Sequence, residues 1–448
     1  FKSLRFFSIN IRHKARKKNY IKIFFIIIVD IPKFFGLRDF KIFKFFHKKF
    51  INLIDIVYSY HMSSKIKVMQ VIPRLGYGGA ETGCYDLAHY LAEKGCGSFI
   101  ITSGGELLKY VKKNKVKIIK LPVHSKNPIT ILFNFIVISI LVLIHNVDIL
   151  HARSRAPAWS CFLVCSLTRR KFVTTFHGTY NFSNSLKKFY NSIMLKSKLI
   201  IAGSNFIFSH INSNYQNYLN DKKKLLVIFR GINLEYFNSK NISQKQIDKI
   251  YYDWKIDKNK FVILMPGRLT RWKGQENLIE SLSILREYYN KVDFEVVILG
   301  SDQGRNVYKK KLFVLTERLH LKNKIHFINH CKDMPAAYKI ANVIVSASVE
   351  PEAFGRVAVE AQALKKPIIA SDIGGSRETI LNNKSGILYK SDDPRELAKV
   401  LNRIMDMDEI SLLNMGNEGR KNVEKKFDVE KMCQTTFTEY QKLFNKSL

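Results

Sequence analysis

From residue 66 onward, short apolar runs alternate with longer amphipathic stretches, and turn residues separate them. Residues 65–73, KIKVMQVIP, predict a strand. A glycine-rich turn, RLGYGGAE at 74–81, leads into a predicted helix, TGCYDLAHYLAEKG, which stops at Gly95 as helices commonly do. The runs DILHARS (148–154), FVTTFHG (172–178), KLIIAGS (198–204) and KLLVIFRG (224–231) predict further strands, each bounded by turn residues. The polar stretch 238–260 reads as a linker.

At Phe261 the scheme restarts. FVILMPGRL (261–269) predicts a strand, TRWKG a turn and QENLIESLSILREYY a helix; FEVVILG, KIHFINH, ANVIVSAS, KPIIASD and GILYK predict the strands that follow. Strands alternating with helices argue for parallel sheets covered on both faces. The fold class is therefore α/β, two Rossmann-like domains with parallel sheets facing across a cleft. Ligands bind at the carboxyl edges of such sheets. The predicted domains are 66–240 and 241–425, with a C-terminal helix at 426–448.

Composition adds a constraint on partners. The 448 residues are too many for one ordinary core. The net charge of +37 attracts phosphates, whether of nucleic acid, lipid headgroups or phosphorylated substrates, although lysines spread along the whole chain also fit a lysine-rich proteome. Six cysteines do not make a disulfide framework, and Cys161 and Cys165 read as small core residues of a protein from a reducing compartment. Residues 1–65 hold 15 Lys and Arg against 3 Asp, interleaved with Phe and Ile. They read either as an interfacial anchor on anionic lipid or as a divergent extension, with Met62 a candidate natural start. The apolar run Ile23–Val29 is too short to span a bilayer. Residues 129–144 carry no charge but fall short of the roughly 20 residues a spanning helix needs. They predict a buried helix of the first domain, with a membrane-facing helix as the alternative.

Candidate chemistry lies at the predicted turns. Gly78 and Gly79 open the first helix, but GYGGAE is not GxGxxG, so the dinucleotide fingerprint fails. The turn still permits backbone N–H groups to approach a phosphate or sugar. Arg268 ends the first strand of the second half and Lys273 follows five residues on; together they suit a diphosphate. In VEPEAFGRVAVEAQA, Pro351 disfavours helix at Glu350, so the helix starts near Phe354 and Gly355. Glu352 then lies before that helix and Glu360 inside it, at most ~12 Å apart. Free helix N–H groups between them suit phosphate. Two solvated helix carboxylates fit the spacing equally well. His177 ends a strand beside a glycine and is a further candidate.

Together these segments resemble the family 4 glycosyltransferases, the large retaining group with the two-domain GT-B fold. EAFGRVAVE matches the Glu-x7-Glu motif with its Phe-Gly pair; GRLTRWKG, RLGYGGAE, FHG and PIIASDIGGSRETI match four other family segments in order. The resemblance covers roughly residues 66–425. HARSRAPAW and EPEAFGRVAVEAQA look most like a bacterial subgroup tied to lipopolysaccharide or other envelope glycans. The resemblance implies that Arg268 and Lys273 bind the donor diphosphate, and that Glu352 holds the donor sugar. Backbone N–H groups of Phe354, Gly355 and Arg356 would touch sugar or β-phosphate, Glu360 would hold the ribose, and His177 would sit near the anomeric carbon. Gly78 and Gly79 would let the first domain close on the phosphates, and the C-terminal helix would cross back to that domain.

The implied reaction is retaining and independent of metal or other cofactor, moving a sugar from a nucleotide-diphosphate sugar to a glycan or lipid-linked acceptor. The implied place is cytoplasmic, peripheral on the inner face of the cytoplasmic membrane, with an anionic membrane surface as partner. Two other readings compete. A sugar-nucleotide epimerase or non-catalytic subunit keeps the fold. A basic nucleic-acid-binding protein accounts for the charge, but no zinc finger, RNP or KH signature appears, so no nucleic-acid partner is expected.

Overall fold

A computed structural model describes residues 65–219, 225–304 and 306–445. The chain divides into two units, 1–64 and 65–448. The basic extension, its anchor reading, the Ile23–Val29 run and Met62 lie outside the described residues.

The first half runs β1 (Lys67–Val71), α1 (Gly79–Glu93), β2 (Gly97–Thr102), β3 (Lys117–Lys120), α2 (Pro128–Ile144), β4 (Ile149–Ala152), α3 (Arg155–Thr168), β5 (Lys171–Phe176), α4 (Ser185–Ser192), β6 (Leu199–Ala202), α5 (Asn205–Tyr215) and β7 (Leu225–Val227). The second runs α6 (Gln244–Trp254), β8 (Phe261–Pro266), α7 (Gln275–Glu287), β9 (Phe294–Leu299), α8 (Asn306–Arg318), β10 (Ile325–Ile328), α9 (Met334–Ile340), β11 (Val343–Ser346), α10 (Arg356–Ala363), β12 (Ile368–Ser371), α11 (Ser376–Thr379), β13 (Ile387–Tyr389), α12 (Pro394–Met405) and α13 (Glu409–Lys426). Finally, α14 (Val429–Asn445) closes the chain.

The two sheets have orders β3-β2-β1-β4-β5-β6-β7 and β10-β9-β8-β11-β12-β13, and every pair is parallel. Strand order reverses between β1 and β4, and again between β8 and β11. Loops leaving those strand ends flank a crevice, which is where doubly wound sheets bind ligands. The central strands are buried on both faces, as in Val343–Ser346, all four of whose residues are buried. The predicted α/β class, with two parallel-sheet domains, is what forms.

The stretch 238–260 is not a linker. It folds as a short 3-10 turn, Ser239–Asn241, and then α6. Ser243 and Gln246 form a reciprocal capping box, and Ile250 and Trp254 enter the second domain's core. The signal was present: Ile247, Ile250, Tyr251 and Trp254 lie on one helical face, diluted by polar neighbours. Strand β3 also escapes a pattern reading, because its KIIK sequence gives only two apolar positions on an exposed edge.

Helix α2 matches the uncharged run and is only half-buried. Asn134, Ile138, Ser139 and Val142 face inward, while Ile129, Leu132, Phe133 and Leu143 are exposed. No helix among the described residues is long and apolar enough to cross a membrane. Cys161 and Cys165 are buried and unbridged, and burial pushes both thiols up. Helix α14 lies on the first domain: Cys433 and Tyr440 share a core with Val68, Leu87 and Leu91. There the Tyr440 hydroxyl stands 2.6 Å from Nδ1 of the buried His151.

Candidate active site

The second-domain wall is built by two loops from the switch point. After β8 the chain passes Gly267 and Arg268 to a 3-10 turn, Arg271–Lys273, and then Gly274 at φ +73. A Cβ on Gly274 would collide with the Ala347 carbonyl oxygen, so this glycine lets the cationic turn pack on the loop after β11. The Val349 amide donates to the Trp272 carbonyl at 2.9 Å and ties the two loops together.

That tie brings Lys273 to Glu352. Nζ stands 2.7 Å from Oε1, and the same carboxylate oxygen accepts from Ser348 Oγ at 2.5 Å. Burial pushes the Glu352 carboxyl up. The Lys273 charge and the Lys273, Ser348 and Ser346 hydrogen bonds overcome this and hold it below the ordinary carboxylate value. Arg268 is exposed, with its guanidinium 5.9 Å from the Trp272 ring centroid.

Helix α10 begins at Arg356 with Gly355 as its N-cap at φ +82, and no side chain caps it. The Ala358 N–H bonds back to the Gly355 carbonyl at 3.1 Å, which leaves the Arg356 and Val357 N–H groups without an intrahelical acceptor at a positive dipole end. Phe354 is buried against Phe427, their ring centroids 5.5 Å apart. Glu360, only 7% exposed, accepts from Tyr338 Oη at 2.8 Å and Arg356 Nε at 2.6 Å. Burial and the Glu360 charge push the Tyr338 phenol well up. Glu360 is buried and the Glu352 side chain is only 11% exposed, so neither is a freely solvated helix carboxylate.

On the first-domain wall, Gly78 caps α1 without a side-chain hydrogen bond, and Gly79 is its first residue. His177 follows β5. Both ring nitrogens are sealed from solvent with no partner. Burial, with Arg230 and Arg153 nearby, holds its imidazole well below the ordinary 6.5, so it is neutral at pH 7. The His177 carbonyl accepts from Arg230 Nη2 at 2.8 Å.

The two walls touch. Arg356 Nη1 donates to Thr82 Oγ1 of α1 at 2.6 Å. Ser204 Oγ donates to the Ala353 carbonyl at 2.5 Å, and Glu378 accepts from the backbone N–H groups of Asn205, at 2.7 Å, and Phe206. A carboxylate of one domain thus caps a helix of the other.

The structure joins Lys273 to Glu352, Arg356 to Glu360, and Arg356 to the Gly79 helix. It gives the His177 ring no hydrogen bond among the described residues. Sequence reasoning missed Tyr338, Ser348, Glu378, Arg153 and Arg230. For Arg230 a signal existed: FRG follows β7 as FHG closes β5.

Residues 77–236 match the family described as Glycosyltransferase Family 4, and residues 246–422 match Glycosyl transferases group 1. A crystal structure of a glycosyltransferase from Rickettsia africae is 38% identical, covers 85% of this chain and 99% of its own, and superposes with TM-score 0.78. HepE from Anabaena, crystallised in complex with UDP and glucose, shares the fold at 21% identity and TM-score 0.72, over 84% of this chain and 99% of its own. The capsular polysaccharide biosynthesis glycosyltransferase CapM of Staphylococcus aureus is 27% identical over 231 residues. That match takes in 51% of this chain and 57% of CapM.

Proposed function

This chain belongs to the family 4 glycosyltransferases, with the two-domain GT-B fold, and on that premise we propose a specific reaction. It moves a sugar from a nucleotide-diphosphate sugar to a glycan or lipid-linked acceptor of the bacterial envelope, such as a lipopolysaccharide precursor, with retention of anomeric configuration. The observation that carries the donor reading is the Lys273–Glu352 pair beside the uncapped end of α10. A cation, a carboxylate and free helix N–H groups then stand together at the switch point. The UDP and glucose found with HepE make UDP-sugars the first donors to test.

Breaking the bond between sugar and diphosphate leaves negative charge on the phosphate and positive character on the sugar. Arg268, Lys273 and the α10 terminus are placed to meet the first. Glu352 holds the sugar hydroxyls, and Glu360 the ribose. The acceptor hydroxyl attacks the anomeric carbon from the face the diphosphate leaves. Its proton passes to the departing phosphate oxygen and Glu352 forms no covalent bond; Arg268, Lys273 and the helix end take the place of a metal in offsetting the diphosphate charge. His177 is assigned to the sugar's side of the cleft as a neutral ring.

The acceptor is presented at an anionic membrane surface on the cytoplasmic side. Support comes from the exposed apolar side chains of α2, Leu163 and Leu167 of α3, and Leu186 and Phe189 of α4, set in a strongly basic chain.

A thermal-shift panel of nucleotide sugars on wild type and Glu360→Ala tests the donor assignment. One nucleotide sugar is expected to stabilise wild type and not the variant. Proton NMR of the product with that donor is expected to show the donor's anomeric configuration; an inverted product overturns retention. If no nucleotide sugar stabilises the protein or is turned over, the donor reading fails.

A further inference from the structure

The chain crosses between the domains twice, after β7 and after α13, and the two crossings lie side by side. Ile232 of the outward crossing donates its N–H to the Phe427 carbonyl at 2.9 Å, and its own carbonyl accepts from the Val429 N–H at 3.0 Å. Gly231 permits this approach, since a Cβ there would lie 2.4 Å from the Val429 backbone. A rotation of one domain against the other must be absorbed in these paired segments, which form the hinge.

Each crossing carries a buried ring that backs one carboxylate of the site. Phe427, on the return crossing, is sealed from solvent and meets two rings edge-on: Phe229 at 5.5 Å between centroids and 90°, and Phe354 at 5.5 Å and 73°. Phe354 lies two residues past Glu352 and directly before Gly355, the N-cap of α10. Phe237, on the outward crossing, meets Tyr338 edge-on at 6.3 Å and 90°. Tyr338 is the residue whose hydroxyl donates to Glu360. Arg420 of α13 pins Phe237 by donating to its carbonyl and to that of Ala363, the last residue of α10, at 2.8 Å each.

The Glu352 loop has little room to adjust to these rings by itself. The Glu352 carbonyl accepts from the Gly375 N–H at 2.8 Å, and a Cβ on Gly375 would lie 2.6 Å from the Phe354 Cα, so the loop is hemmed in on that side. Ala353 packs on the first-domain core while Phe354 enters the core of the second. The loop therefore straddles both domains within two consecutive residues. Close-packed side chains pass a displacement on, because the interior has few voids to take it up. A turn of the hinge thus moves Phe427 and Phe237, and through Phe354 and Tyr338 it moves the two carboxylates.

We infer that Phe427 and Phe237 are positioning residues for sugar transfer. Phe427 fixes where the Glu352 loop and the α10 terminus stand for a given angle between the domains. Phe237 does the same for Glu360 through Tyr338. The closed angle then grips the donor at both ends together. These roles rest on the donor reading of the two glutamates, so each ring is tested against the carboxylate it backs.

The test is steady-state kinetics on the full chain, read as release of nucleoside diphosphate with water or a bacterial lipid extract as acceptor. UDP-glucose is the donor probe, replaced by another nucleotide sugar where thermal shift selects one. Phe427→Leu is expected to lower kcat about tenfold with donor KM within about twofold of wild type, following Glu352→Ala in kind. Phe237→Leu is expected to raise donor KM about fivefold with kcat nearly unchanged, following Glu360→Ala. Both rings are buried in the same core, so a merely structural role gives the two variants one common kinetic change. The double variant Phe427→Leu, Glu352→Ala is expected to be no slower than Glu352→Ala alone. Phe229→Leu removes the ring on the other side of Phe427 from a half-buried position. It is expected to lower kcat as well, and it decides the matter should Phe427→Leu not fold. Wild-type kcat in a folded Phe427→Leu or, failing that fold, in Phe229→Leu overturns the inference and leaves the donor reading standing. So does one common change in Phe427→Leu and Phe237→Leu, or losses that multiply in the double variant. Unchanged kinetics in both Glu352→Ala and Glu360→Ala, or no nucleotide sugar turned over by wild type, removes the donor reading and the inference with it.

Discussion

Lys273 and Glu352, 79 positions apart in the chain, form an ion pair of 2.7 Å with side chains 12% and 11% exposed. The contact joins the loops leaving β8 and β11. Removing one partner strands the other in a poorly hydrated place. Lys273→Ala is therefore expected to lower unfolding stability by about 3 kcal/mol in urea denaturation. The double variant Lys273→Ala, Glu352→Gln should lose less than the two single losses combined, because no unpaired charge remains. Additive losses would show that the pair carries no coupling.

The same pair sets an acid response. The folded Glu352 carboxyl lies below its ordinary 4.5. Its contribution to stability is thus fully present above pH 4.5 and is lost as pH falls through the lower folded value. Wild type should lose stability between pH 5 and 3, in roughly that range, more steeply than Glu352→Gln does. Parallel pH profiles would refute the assignment.

The two glutamates should separate kinetically. Glu352→Ala is expected to cut kcat about a hundredfold or more with a small change in donor KM, since it meets the sugar being moved. Glu360→Ala should chiefly raise donor KM. It also leaves the buried Tyr338 hydroxyl and Arg356 Nε unpaired, so about 1–3 kcal/mol of stability should go with it. The opposite kinetic pattern would reverse the ligand's orientation.

Glu378 holds the two walls together from outside the motif. Glu378→Gln weakens the charge on the α5 terminus, and Glu378→Ala removes the cap, at a cost of about 1–2 kcal/mol of closure. Small-angle scattering should show a larger radius of gyration for the free Ala variant, and donor KM should rise with kcat nearly unchanged. An unchanged radius would mean other contacts hold the closed form.

Phe133 and Leu186 are 50% and 80% exposed. The double variant Phe133→Ser, Leu186→Ser should bind vesicles containing anionic phosphatidylglycerol at least tenfold more weakly, because each buried apolar side chain contributes about 1.5–3 kcal/mol. Raised salt should weaken wild type further. Equal sedimentation of both proteins would remove these helices from the membrane surface.

The order of strands, turns and helices was legible along the chain, because apolar periodicity and glycine punctuation are local properties. So were Gly78, Gly79, Arg268, Lys273, Glu352 and Glu360 as candidates, since each sits at a predicted strand end or helix start. Helix α6 was harder, its apolar face being four residues among charges. What only the tertiary structure decided was pairing. Spacing could not tell whether the two carboxylates are solvated; the fold shows that they are not, because Ser348, Lys273, Tyr338 and Arg356 reach the two glutamates from different elements. Arg230 and Glu378 carried no local mark as strong, and their partners lie 53 and 172 or more positions away. A local sequence records which groups a loop can offer. Which charges lose their water, and which partner replaces it, is settled only when distant strand ends meet at one edge.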